Sequence, residues 1–174
     1  MNKLSLAYFG TPDFSARFLE KIIKDKDLPI EVKLVVTQPD KKAGRKQVVT
    51  KSQVKIVAEK NKIPVKTGPV TRFHDINLAL LFAYGEIIPK KILGIPKHGF
   101  WNIHPSLLPK YRGASPVAFP LMNGDKETGV TIIQMDEKMD HGPIIVQEKT
   151  EILPNERKDQ LTNRLTDIAY GLFK

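Results

Sequence analysis

Apolar residues recur along the chain in two rhythms. Lys3 to Phe9 is a short apolar run ending at Gly10. After Thr11, Pro12 and Asp13, which have helix-start character, Phe14, Phe18, Leu19, Ile22 and Ile23 repeat at helical spacing. The opening therefore reads strand, glycine turn, helix. Ile30 to Thr37, rich in Val, Leu and Ile, predicts a second buried strand, ended by Gln38, Pro39 and Asp40. Lys41 to Thr50 is expected as a flexible basic loop around Gly44. Ser52 is placed to cap a helix over Gln53 to Lys60 with Val54, Val57 and Ala58 inward. Ile63 to Val65 is at most a brief strand, and Lys66 to Asp75 is aperiodic and reads as a loop.

Asn77 to Ala83 predicts a strand closed by Tyr84-Gly85, and Pro89 suits the first position of a short helix over Lys90 to Leu93. The stretch GFWNIHPSLLPKYRG, Gly99 to Gly113, begins as a buried strand and is stopped by Pro105 and Pro109. Ser115-Pro116 opens a helix through Leu121, which Asn123-Gly124 terminates. Glu127 to Met135 and Pro143 to Lys149 predict two strands. Asn155 starts a final helix with Leu161, Leu165, Ile168 and Leu172 on its apolar face. Alternation of strand and helix over most of the length implies an α/β fold with a mainly parallel sheet. The last two strands are joined by a loop and are expected antiparallel, leaving the sheet mixed at one edge.

The 174 residues, 41% of them hydrophobic, suffice for one domain with its own core and argue against disorder. There is no long uncharged apolar run, and Thr11-Pro12-Asp13 follows the first apolar residues too soon for an export signal to be expected. The absence of cysteine excludes disulfides and thiolate metal sites and allows a cytoplasmic setting. The net charge of +9 is uneven: Lys41, Lys42, Arg45, Lys46, Lys51 and Lys55 lie together with no acid between Lys41 and Lys55. That run is either a solvated surface or a docking patch for a phosphate-bearing partner, and charge alone does not separate the two.

Asn102 and His104 are two residues apart, which on a strand directs both side chains to one face. Such a polar pair at the C-terminal end of a strand is where an open α/β sheet usually places chemistry. A second such place is DEKMDHG, Asp136 to Gly142, after the strand Gly129 to Met135. An Asn–His–Asp set supplies a hydrogen-bond donor, a proton carrier and an orienting anion. Asn102 can steady an oxyanion, His104 can share that contact and move a proton, and Asp140 can hold the histidine or take the attacking amine's proton. This suits acyl transfer to an amine. Purely structural roles remain open for all three. A zinc reading of His104, Asp140 and His141 is weak, and no Walker motif or GxSxG elbow is present. GTPDF carries one glycine where a dinucleotide fingerprint needs three, so that turn either holds an anion or is only a tight turn.

FGTPDFSARFLE, VVTQPDKKAGRK, LLFAYGEIIPKKIL, WNIHPSLLPKYRGASPV and GDKETGVTIIQMDEKMDHGPII come in the order found in the methionyl-tRNA formyltransferases. The chain resembles the N-terminal catalytic domain of that family, within the folate-dependent formyltransferases. The resemblance implies a Rossmann-like, mainly parallel open sheet flanked by helices, 10-formyltetrahydrofolate as formyl donor, initiator methionyl-tRNA as acceptor, and a monomeric, cytoplasmic protein without a membrane partner. It places the catalytic roles on Asn102, His104 and Asp140. It implies a folate cleft lined by Phe82, Tyr84, Gly85, Ile88, Pro89, Ser106, Leu107, Leu108, Pro109 and Asp136, and tRNA contacts from Lys41, Lys42, Arg45 and Lys46; no metal is implied. Acceptance of a sugar-nucleotide amine, or binding of folate or RNA without turnover, are the competing readings. Two departures follow from the same resemblance. Residues 1–174 correspond to the catalytic domain without its final elements and without the family's C-terminal β-barrel, and the stretch between Pro64 and Asn77 is shorter than the family's loop and helix.

Overall fold

The computed structural model describes residues 3–43, 45, 47–68 and 70–174. The chain divides into two compact units, residues 1–99 and 100–174.

In the first unit the strands β1 (Leu4–Gly10), β2 (Ile30–Thr37), β5 (Val65–Thr67) and β6 (Leu78–Phe82) pair in parallel, β1 between β2 and β6, with β5 beyond β2. β1 is buried almost throughout, as a parallel strand covered on both faces must be. Helix α1 (Asp13–Lys24) lays Ala16, Phe18, Leu19 and Ile22 inward, and Phe18 and Phe82 meet edge to face with ring centroids 5.4 Å apart. Helix α2 (Gln53–Lys60) starts where expected: the Ser52 hydroxyl accepts the Lys55 N–H at 3.1 Å, and Val54, Val57 and Ala58 are buried. Helix α3 (Lys90–Leu93) completes the unit with Ile92 buried.

The expected basic loop is instead a hairpin. β3 (Lys41–Ala43) pairs antiparallel with β4 (Val48–Thr50), Lys41 opposite Thr50 and Lys42 opposite Val49. The β-branched run Val48-Val49-Thr50 favours extended backbone and prevails over the local glycine and charge. Arg45 lies in the turn; Gly44 and Lys46 lie outside the described residues. Two helix starts also differ. Pro89 is the residue capping α3, extended at ψ 138°, and not its first helical residue. The Ser115-Pro116 stretch is a turn, and its helix is confined to α4 (Ala118–Met122).

In the second unit β7 (Phe100–His104), β8 (Glu127–Gln134) and β9 (Ile144–Glu151) form an antiparallel series with β8 in the middle. Helix α5 (Lys158–Phe173) buries Leu161, Leu165 and Ala169. It begins three residues later than expected, because Asn155 is left-handed at φ 59° and the Gln160 side chain accepts the Arg157 N–H at 2.8 Å. The fold class is α/β, as expected: parallel strands with helices in the first unit, and the antiparallel strands predicted near the chain's end in the second.

Candidate active site

Asn102 and His104 lie on one face of β7, 7% and 4% exposed. Register sets Asn102 opposite Ile133 and His104 opposite Thr131 on β8. Asp140 comes from the loop after β8, with φ 48°. Aspartate is among the few side chains that take the left-handed region with modest strain. Its carboxylate is anchored on three sides. Oδ1 accepts the Asn102 Nδ2–H at 3.0 Å and faces His104 Nδ1 at 3.6 Å; Oδ2 accepts the Gly113 N–H at 2.7 Å. The Asp140 carbonyl accepts Arg112 Nε–H at 2.8 Å. The three side chains singled out in the sequence are therefore one connected group, and the 111–113 turn that follows the two prolines closes it.

The Ser106–Pro109 loop is held by residues that sequence reasoning missed. Thr131 donates its hydroxyl to the Ser106 carbonyl and accepts the Leu108 N–H at 3.1 Å. Gln147 Nε2 donates to the Thr131 hydroxyl at 2.7 Å and to the Leu108 carbonyl at 3.1 Å. His104, Thr131 and Gln147 occupy successive strands in register. The signal was a lone Thr inside Gly129-Val130-Thr131-Ile132: a polar side chain buried in an apolar strand needs partners. Ser106 is fully buried and its hydroxyl donates to the Lys110 carbonyl at 2.7 Å; Leu108 is buried, Leu107 half-buried and Pro109 exposed. Asp136, further along, accepts the Lys138 N–H and pairs with His141 Nδ1 at 2.7 Å. The hydrogen bond from His141, and then that from the Lys138 main chain, hold its carboxyl below the usual carboxylate range. His141 is thus engaged with Asp136, and among the described residues no group of three metal-binding side chains is assembled.

The remaining predicted residues belong to the first unit. Phe82 is 1% exposed and its ring sits edge to face with Phe14 and Phe18. Tyr84 is buried and packs edge to face on Phe9; its hydroxyl donates toward Glu86 Oε2 at 3.1 Å and the Gly68 carbonyl at 3.4 Å. Burial, and then the Glu86 carboxylate beside it, push that phenol well above its ordinary range. Gly85, at φ 85°, leaves its carbonyl to Gln38 Nε2 at 3.0 Å, and a Cβ there would lie 2.5 Å from that nitrogen. Ile88 is buried and Pro89 exposed. Lys41, Lys42 and Arg45 are exposed on the hairpin, whose root is tied to α2 by the Asp40–Lys55 ion pair at 2.7 Å.

The chain belongs to the formyl transferase family, whose model it matches over residues 2–173. It is 42% identical to the methionyl-tRNA formyltransferase of Thermotoga neapolitana over 95% of its own length, and 41% identical to that of Caldicellulosiruptor saccharolyticus over 98%. It spans 55% and 57% of those two proteins, about half the length of the curated relatives it matches. Among solved structures it is similar to the phosphoribosylglycinamide formyltransferase of Bacillus halodurans, with TM-score 0.77 and 26% identity over 97% of this chain and 91% of that one. It is also similar to a sugar 3N-formyl transferase solved in the presence of dTDP and 5-N-formyl-THF, with TM-score 0.70 and 25% identity over 99% of this chain and 61% of that one. Among the described residues no helix is long and apolar enough to cross a membrane.

Proposed function

We propose that this chain is the catalytic domain of a methionyl-tRNA formyltransferase, moving the formyl group of 10-formyltetrahydrofolate to the amino group of methionyl initiator tRNA. The observation that carries the chemistry is the carboxylate of Asp140 held between Asn102 and His104. The amine attacks the formyl carbon, and a new C–N bond forms as the carbonyl oxygen becomes an oxyanion. The free N–H of Asn102 stabilises that oxygen, joined by the His104 Nδ1–H once the ring has taken up a proton. The amine proton passes to the Asp140–His104 pair and goes on to folate N10 as its bond to the formyl carbon breaks. The products are the formylated amine and tetrahydrofolate.

The acceptor rests on other support. The relatives near 40% identity are methionyl-tRNA formyltransferases, whereas those acting on glycinamide ribonucleotide or an amino sugar stand near 25%. The exposed cations of the Lys41–Thr50 hairpin suit a phosphate backbone. The test supplies 10-formyltetrahydrofolate with methionyl-tRNA, a nucleotide-linked amino sugar and glycinamide ribonucleotide in parallel. Formylation fastest on methionyl-tRNA is the expected result. Preference for the sugar amine assigns the chain to the sugar branch, and folate binding without transfer to any amine defeats the catalytic reading.

A further inference from the structure

The HPSLLPKYRG turn does more than close the site. The Tyr111 carbonyl lies 2.8 Å from His104 Nε2. A carbonyl oxygen only accepts, so Nε2 must carry hydrogen. Tyr111 has φ 58°, a region that bulky residues occupy only when their surroundings impose it. Those surroundings are present in the same unit. The Tyr111 hydroxyl donates to Asp125 Oδ2 at 2.7 Å and accepts from Asn123 Nδ2 at 3.0 Å. The ring stacks on Phe119, with centroids 6.2 Å apart and planes 5° from parallel. On the other side, Ser106 fixes the Lys110 carbonyl. Two successive carbonyls of the turn are therefore each engaged by a buried side chain, and the ring of Tyr111 is pinned at its far end.

We propose that Tyr111, anchored by Asp125, is a positioning residue that fixes His104 with hydrogen on Nε2 and reserves Nδ1, which faces Asp140, as the nitrogen that exchanges the proton. The proposal rests on His104 acting as the proton carrier in the reaction above. It also orders the chemistry: the proton moves on the Asp140 side of the ring, and the Nε2 side is a fixed hinge.

Nitrogen-15 NMR of the histidine-labelled chain tests it without turnover. The neutral form of His104 should show hydrogen on Nε2 alone. In Tyr111→Phe and Asp125→Ala the Nε2 proton should exchange with solvent roughly tenfold faster or more, and kcat for formyl transfer should fall by about ten- to a hundredfold, with KM for the donor changing by less than about twofold. Asp125→Asn keeps an acceptor for the tyrosine hydroxyl and should restore slow exchange and most of kcat. Hydrogen on Nδ1 in the neutral form overturns the proposal even in an active chain, as does unchanged exchange in Asp125→Ala. An Nε2–H that responds as described in a chain transferring formyl to no amine overturns instead the reading of His104 as proton carrier.

Discussion

Asn102 gives one of its two amide N–H groups to Asp140, with Nδ2 3.0 Å from Oδ1. A carboxylate only accepts, so the contact fixes which end of the amide faces Asp140. It leaves the second N–H for the oxyanion contact proposed above. The bond thus joins the strand that presents the donor to the loop that presents the anion, and removing either partner damages both.

Asp140→Asn is the cleanest single test of that group. Asparagine tolerates the left-handed backbone at this position, where φ is 48°, so folding should survive. The variant keeps one acceptor oxygen, enough for Asn102 or the Gly113 N–H but not both, and loses the anion facing His104. Formyl transfer should fall about a hundredfold, within the range of a general acid–base contribution. Steady-state kinetics checks it, read beside a melting curve that gauges the lost N–H contact; a rate close to wild type removes Asp140 from the mechanism.

His104→Ala should lower kcat by roughly a hundredfold or more, with little change in donor affinity. The side chain is buried and its Nε2 partner is a main-chain carbonyl, so the truncation also leaves that carbonyl short of a donor. His104→Gln, whose amide nitrogen reaches about as far as Nε2 and can still donate there, separates the structural loss from the catalytic one. Both variants losing stability at full activity would assign the histidine a structural role.

The parts of this molecule that were legible in advance are those set by period. β2 and α2 fall on their predicted bounds because an apolar run between breakers, and a serine before a helical repeat, each leave one physical solution. The Asn102–His104 pair was legible for the same reason: alternation along a strand assigns a face. What hid was whatever depends on a partner far along the chain. Thr131 and Gln147 look like ordinary strand residues until register sets them beside the Ser106–Pro109 loop. Tyr111 contributes through its carbonyl, which sequence does not display. The hairpin hid because charge and glycine masked three β-branched residues.

The second unit should weaken in acid through one partly buried pair. Glu156 is 5% exposed at its side chain and receives Arg164 Nη2 at 2.8 Å and Nε at 3.0 Å, with the Leu153 N–H at 3.0 Å. The hydrogen bonds from Arg164 chiefly hold its carboxyl below the ordinary glutamate value of 4.5. A depressed folded value means the stabilisation is fully present above that ordinary value and is lost as pH falls through the folded one. Glu156→Gln should therefore cost about 2 kcal/mol at pH 7 and flatten the loss of stability below roughly pH 4.5. Urea unfolding at several pH values measures both, and equal acid slopes for wild type and variant would contradict it.

Gly129 marks a close approach. A Cβ there would stand 2.2 Å from the Glu148 carbonyl and 2.5 Å from Leu107 Cδ2. The backbone contact cannot give as a side chain can, so Gly129→Ala should destabilise by about 1–3 kcal/mol. Displacing Leu107 should also weaken donor binding if the Ser106–Pro109 loop touches folate. Gly94→Ala, where a Cβ meets nothing within 4 Å, serves as control and should stay within about 0.5 kcal/mol of wild type.

The basic hairpin gives the prediction that bears most on the acceptor. Lys42 and Arg45 are exposed on it, and Lys46 follows in sequence. As a hairpin rather than a loose loop, it presents its cations at less entropic cost on binding. Gln38 accepts Lys41 Nζ–H at 2.6 Å and donates to the Gly85 carbonyl, so the hairpin's first strand is tied to the turn after β6. Contacts of this kind act through charge and counterion release, and they position RNA without reading its sequence. Neutralising Lys42, Arg45 and Lys46 together should weaken tRNA binding and lower the slope of log affinity against log salt by about two. Donor affinity should hold, because none of the three belongs to the segments assigned to folate. Titrations of tRNA at several salt concentrations, for wild type and triple variant, decide it. Parallel lines of equal slope would make the hairpin ordinary solvated surface, and a tRNA acceptor would then stand on likeness to relatives alone.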